Sequence, residues 1–185
     1  MVKKFKNKYR TTSLRVQGHD YSQNGAYFIT ICTKDKENYF GKIKNGKKIL
    51  SDIGSMVNNE WEKTAEIRKN VILDEYVIMP NHFHAMIFIN NNVETHCNAS
   101  LQDDKKYKNK FGPQSNNLSS VVRGFKGVVT KQVHILSFDD FAWQSRFYDR
   151  IIRDDVELNK IREYIQINPK EWDNDKNNIS NCIDL

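Results

Sequence analysis

Cysteine is scarce in this 185-residue chain: Cys32, Cys97 and Cys182 lie far apart and form no C-x-x-C pair. That spacing excludes a disulfide framework and a structural zinc knuckle, and leaves free thiols as the expectation. Long apolar runs are missing too. No stretch approaches the roughly 18 consecutive apolar residues of a spanning helix, and Met1-Val2-Lys3-Lys4-Phe5-Lys6 leads into polar sequence instead of the apolar stretch of a signal peptide. A soluble cytoplasmic protein with no membrane partner is therefore expected. There is no internal repeat and no linker between two folded units, so the length fits one globular domain with extra segments and excludes a multidomain machine.

Acidic residues are absent from residues 1–15, where Lys3, Lys4, Lys6, Lys8, Arg10 and Arg15 stand; this arm alone equals the net charge of +6 of the whole chain. Interleaved with Phe5 and Tyr9, it can neutralise phosphates and stack on bases, or it can be a solvated terminal tail.

The pattern along the chain alternates strands and helices. Ala26–Thr33 is β-branched and aromatic and too short for a helix, so it reads as a buried strand. Asn45-Gly46, between 39–43 and 48–50, signals a hairpin turn. Ser51 or Asp52 can cap a helix reaching about Arg68, with Ile53, Met56, Val57, Trp61 and Ala65 at helical spacing. Residues 71–79 and 82–89 read as antiparallel strands joined at Pro80-Asn81. Residues 90–116 are dominated by Asn, Asp, Lys and Ser and read as a polar insertion. A helix from Asn117 or Leu118 to about Val133 follows, in which Gly124 and Gly127 suggest a close backbone approach. An alternating segment 147–153 and a helix capped by Asp154 or Asp155, ending near Pro169, complete the order β-(ββ)-α-β-β-α-β-α. The fold class that follows is α+β: an antiparallel sheet with helices mainly on one face, ferredoxin-like. The parts are a basic arm 1–24, one α+β domain 25–172 and a polar tail 173–185.

Two segments can carry chemistry. In Met79-Pro80-Asn81-His82-Phe83-His84, strand periodicity puts both imidazoles on one face and Phe83 on the other, so His82 and His84 can share one ion or can be core or surface histidines. In Arg162–Pro169, Tyr164 and Asn168 are i and i+4 neighbours at the margin of the stripe formed by Ile161 and Ile165. The plain alternative is that Tyr164 packs and Asn168 ends the helix before Pro169.

Together these segments, with Gly25–Thr30 and Trp143-Gln144-Ser145-Arg146-Phe147-Tyr148-Asp149, resemble the single-tyrosine transposases of the His-hydrophobic-His superfamily, and within it the REP-associated tyrosine transposase-like group, over about residues 15–172. The resemblance implies that His82 and His84 hold a divalent ion, Mg²⁺ or Mn²⁺, with Asn168 as third ligand in preference to Gln166. It implies that Tyr164 is the nucleophile that cuts single-stranded DNA, leaving the 5′ phosphate on the tyrosine, with Tyr148 as the competing choice. The implied ligand is a hairpin flanked by single-stranded DNA, and related transposases include dimers, so a homodimer is among the states the resemblance allows. The basic arm, Arg123 and Lys126 on one helix, and Arg146, Arg150 and Arg153 supply phosphate contacts if they converge. Such a scheme requires no water-activating carboxylate, and Glu163, which neighbours Tyr164, should point elsewhere on the helix. The competing functions are a nucleic-acid-binding module without cleavage and a hydrolytic metal-dependent phosphoesterase.

Overall fold

The computed structural model describes residues 19–91 and 115–178, and the backbone of 4–5 and 9–10. Of the basic arm, Lys4–Phe5 (β1) and Tyr9–Arg10 (β2) pair antiparallel. Lys3, Lys6, Lys8 and Arg15, the core of the polar insertion, and Cys97 and Cys182 lie outside the described residues.

The sheet is built from Gly25–Cys32 (β3), Val71–Ile78 (β6), His82–Ile89 (β7) and Tyr148–Ile152 (β8), in the order β6-β7-β3-β8. All three pairings are antiparallel. Between β3 and β6 come the hairpin Gly41–Lys44 (β4) and Lys47–Leu50 (β5) and the helix Asp52–Ile67 (α1). Asn45 and Gly46 both take positive φ, 53° and 69°, the conformation that this two-residue turn needs. Leu118–Ile135 (α2) links β7 to β8, and Asp155–Ile167 (α3) follows β8. Apart from the inserted hairpin and the final helix, this is the β-α-β-β-α-β order of a ferredoxin-like fold.

Local chemistry explains the helix starts. The Ser51 hydroxyl accepts from the Gly54 amide, Asn117 and Ser120 form a reciprocal capping box, and the Asp154 carboxylate accepts from the Glu157 amide. The stripes that these helices bury decide where they dock. Ile53, Val57 and Trp61 of α1, with Val121, Val122, Phe125, Val129 and Val133 of α2, cover one face of the sheet through Tyr27, Ile29, Ile31, Phe83, Ala85 and Ile87. Trp61 meets Phe83 edge-on at 4.8 Å and Phe125 at 5.1 Å; burying side chains of this size contributes about 2–3 kcal/mol each.

The other face carries a smaller cluster in which Ile161 and Ile165 of α3 pack on Phe28, Val77, Met79, Met86 and Ile152. Two helices therefore share one face and the third takes the opposite one. The close backbone approach expected at the α2 glycines does not occur: a Cβ at Gly124 would meet the Arg68 guanidinium, and one at Gly127 would meet nothing within 4 Å. The lack of a Cβ matters instead at Gly54, where a side chain would overlap the Phe40 carbonyl, and at Gly41, where it would overlap the Ile49 carbonyl. No helix among the described residues is long and apolar enough to cross a membrane.

Candidate active site

Strand alternation sends Phe83 into the two-helix core and turns His82 and His84 to the face that α3 covers. Both rings are almost completely buried, at 0% and 2% exposure, and their Nε2 atoms stand 3.1 Å apart. The tautomer of His82 follows from its neighbour. The Asn81 amide nitrogen donates to the carbonyls of Lys36 and Asn177, at 2.9 and 2.8 Å, which leaves its oxygen facing His82 Nδ1 at 2.9 Å. Nδ1 must therefore carry the proton, and Nε2 presents a bare lone pair. His84 Nδ1 lies 2.8 Å from the hydroxyl of Thr30, which can donate or accept and so serves either tautomer.

Burial holds both rings in the neutral form. It pushes the His82 pKa down to about 3, helped by the charges of Lys176 and Lys36. It also takes His84 well below the usual range, with His82 and Lys176 adding to the effect and Asp175 opposing it.

Tyr164 reaches this pair from α3, its hydroxyl 3.3 Å from His84 Nε2. Phe28 stacks on His84 and meets Tyr164 edge-on, at centroid distances of 5.3 and 6.1 Å. The phenol pKa is raised by burial and then by the Asp175 charge, and a hydrogen bond from the Asn168 side chain opposes both. Asn168 is 2% exposed, and its amide oxygen is buried without a hydrogen-bond partner. The backbone at Asn168 stays helical despite Pro169, with φ −50° and ψ −41°, which keeps the amide on the face of Tyr164. Gln166 instead donates to Glu75, on the flank away from the histidines.

A fourth group was not legible in the two motifs. Asp175, in the segment assigned to the polar tail, brings a carboxylate oxygen to 3.7 Å from His82 Nε2, with its side chain 6% exposed. Since the ring is neutral, this is an approach of two acceptors to one point and not an ion pair. His82, His84 and Asp175 form a group whose ligand atoms all lie within 4.8 Å of one another. The carboxylate that the motifs omitted is thus present, brought back by the chain reversal at Trp172–Asn174, where Trp172 stacks on His82. The only sequence signal was this buried tryptophan in a polar stretch.

These residues fit a divalent cation. The bare Nε2 of His82, the Nε2 of His84 and the Asp175 carboxylate converge within 4.8 Å of one another, and the buried Asn168 amide oxygen, one helical turn from Tyr164, has no hydrogen-bond partner among the described residues. The 3.1 Å between the imidazole nitrogens matches the roughly 3.0 Å edge between adjacent ligands of an octahedral ion with bonds near 2.1 Å.

Beside the site lies a cleft of about 590 Å³, floored by Phe28, Ile161 and Phe147 and rimmed by Arg146, Arg150, Lys160 and Lys176, with no carboxylate in its lining. Tyr148 and Tyr164 both line it. Of the basic residues singled out in the sequence, Arg146 and Arg150 meet here. Lys126 reaches the Gln144 carbonyl at its edge. Arg153 does not line it, and Arg123 belongs to α2, on the far face of the sheet. Lys160 and Lys176 were missed, because neither neighbours a motif.

Comparison with known proteins adds a lineage. No family model matches the chain. A protein of Haemophilus influenzae, described as uncharacterized, is 40% identical over 164 residues, covering 89% of this chain and 91% of its own. The chain belongs to that protein's family. Among solved structures, a REP-associated tyrosine transposase bound to a REP hairpin superposes with a TM-score of 0.56, over 85% of this chain and 74% of that one, at 18% identity. The chain shares its fold, and the sequence-based expectation of a ferredoxin-like α+β domain resembling this group holds. A Deinococcus radiodurans protein provisionally described as a transposase covers 82% of this chain and 96% of its own, at 11% identity and a TM-score of 0.46, too low to bear on the reading.

Proposed function

We propose that the protein is a metal-dependent DNA strand transferase that cuts and rejoins single-stranded DNA at hairpin-flanked sites through a 5′-phosphotyrosine intermediate. The observation that carries this reading is the meeting of the Tyr164 hydroxyl with His84 at 3.3 Å, beside the His82–His84–Asp175 group. In this scheme His82, His84, Asn168 and Asp175 hold Mg²⁺ or Mn²⁺, which when bound supplies charge neutralisation at the phosphate and at the departing 3′ oxygen. The two imidazoles favour Mn²⁺ over Mg²⁺ in direct competition.

The protein's own groups do the rest. The Tyr164 hydroxyl releases its proton to solvent as its oxygen attacks phosphorus, the P–O3′ bond breaks, and the 3′ oxygen takes a proton from solvent and leaves as a hydroxyl, so no net proton is gained or lost. The phosphodiester becomes a phosphotyrosine diester of equal count, so rejoining needs no ATP. The Asn168 amide hydrogen bond favours the phenolate, against the burial that disfavours it. Arg146, Arg150, Lys160 and Lys176 hold backbone phosphates, and Phe147 and Phe28 offer apolar surface to an unpaired base. The hairpin ligand follows the DNA named for the solved relative in fold.

The test is covalent trapping: hairpin-bearing single-stranded DNA is incubated with the protein and Mg²⁺ or Mn²⁺, and a protein–DNA adduct is sought on a denaturing gel. An adduct that needs metal supports the reading. Metal-dependent cutting without adduct supports a hydrolytic phosphoesterase, a reading that Asp175 favours because it supplies the acidic ligand such enzymes use. Binding without either outcome supports a non-catalytic module. Asp175→Asn is expected to raise the Mn²⁺ concentration for half-maximal binding by about 10–100-fold, measured by titration of the DNA-free protein.

A further inference from the structure

β6 carries an irregularity whose product points at the helix of the reactive tyrosine. Leu73 pairs with Ile87 and Tyr76 with Ala85, so Asp74 and Glu75 together oppose Met86 alone. This is a β-bulge, and it breaks the alternation of faces. Leu73 and Tyr76 both pack against the two-helix core, which strict alternation forbids. The two residues between them are thereby both available to α3. Asp74 accepts a two-pronged contact from Arg162, Nε to Oδ1 at 3.1 Å and Nη2 to Oδ2 at 2.5 Å, with the carboxylate 12% exposed. The Glu75 amide donates to Asp74 Oδ1 at 2.7 Å, and the Glu75 carboxylate accepts from Gln166 at 3.2 Å.

The helix needs such a hold. Ile161 and Ile165 are its only buried residues, a narrow stripe that leaves rotation about the helix axis weakly fixed. At about 100° per residue, Gln166 falls within about 40° of Arg162, whereas Tyr164 falls about 200° away on the opposite flank. Arg162 and Tyr164 are thus opposite ends of one lever whose fulcrum is the isoleucine stripe. A roll of about 20° would displace the phenol oxygen by on the order of 3 Å, while about 1 Å is enough to cost a hundredfold in rate.

We propose that Asp74 and Arg162, presented to each other by the β6 bulge, are positioning residues that set the rotation of α3 and so place the Tyr164 hydroxyl at His84. The inference rests on the tyrosine-nucleophile reading above. The fork matters and not the charge alone, since a planar guanidinium engages both carboxylate oxygens and resists rotation where an ammonium does not.

The experiment measures single-turnover adduct formation at saturating hairpin DNA, together with DNA affinity and melting temperature, for Asp74→Ala, Arg162→Ala and their double variant. Each single is expected to form adduct about 100-fold more slowly with DNA affinity within threefold of wild type. The double should be no slower than either single, because both remove one contact. Arg162→Lys, which keeps the charge and stem, guards against loss of folding and is expected to lose about tenfold. Wild-type rates in either alanine variant, or a rate loss matched by a loss of DNA affinity, overturn the proposal. Fluorotyrosine labelling separates this outcome from failure of the functional reading. The ¹⁹F resonance missing from Tyr164→Phe identifies Tyr164, and it is expected to shift in Asp74→Ala whether or not DNA is cut. An unmoved resonance also overturns the proposal.

Discussion

Tyr164→Phe is expected to abolish the covalent protein–DNA adduct, lowering its rate by at least about 10³-fold, while Tyr148→Phe stays within about threefold of wild type. The substitution removes one oxygen and leaves the packing of the ring on Phe28 in place, so hairpin binding and stability are expected to hold. The distinction between the two tyrosines is geometric. Both line the cleft, but the Tyr164 hydroxyl stands 3.3 Å from His84 and receives the Asn168 hydrogen bond. Tyr148 sits on the edge strand β8 opposite Thr30 and is 49% exposed, where strand geometry offers no i+4 neighbour on its face. Denaturing gels after incubation with hairpin DNA and Mn²⁺ decide the matter: an adduct that survives Tyr164→Phe and disappears with Tyr148→Phe transfers the role to Tyr148.

Acid should unfold the metal-free protein well before its carboxylates are fully protonated. The folded His82 pKa, about 3, lies below the unfolded value of about 6.5, so below pH 6.5 the unfolded chain binds a proton that the folded one refuses. Stability is therefore complete above about pH 6.5 and is lost as the pH falls toward 3. The full shift is worth on the order of 4–5 kcal/mol, a large part of a typical domain's total. His84, depressed in the same direction, adds to the loss. Denaturant melts in EDTA across pH 7.5 to 4 should show the midpoint falling steadily. A bound cation should steepen the acid dependence, because protons then compete with the ion for the imidazoles. Replacing His82 with Gln should flatten the slope in EDTA, and a slope unchanged by that substitution would assign the acid sensitivity elsewhere.

Much of the fold was legible because its signals were local. The Asn45-Gly46 turn, the Ser51 and Asp154 caps and the period-two run through His82–Ile89 each depend on neighbours a few residues away, and each element falls within two or three residues of its expected span. The same locality placed His82 and His84 on one face and Tyr164 at the edge of the α3 stripe. What escaped notice depends on residues distant in sequence. Asp175 gains its place only when Trp172 docks on His82, 90 positions earlier in the chain. Lys160 and Lys176 face one cleft because α3, packed over β6 and β7, and the following turn wall off the uncovered part of β3 and β8, which no spacing rule reveals. The Asp74–Glu75 bulge left no trace in composition, since its segment reads as an ordinary strand interrupted by two acids.

The order in which the chain emerges from the ribosome separates framework from reactivity. Every strand of the main sheet has been synthesised by Ile152, whereas Tyr164, Asn168 and Asp175 come later. A nascent chain halted between those points would own a paired set of imidazoles and no phenol to partner them. Strand pairing can thus be completed before the chain supplies the last groups of the candidate site.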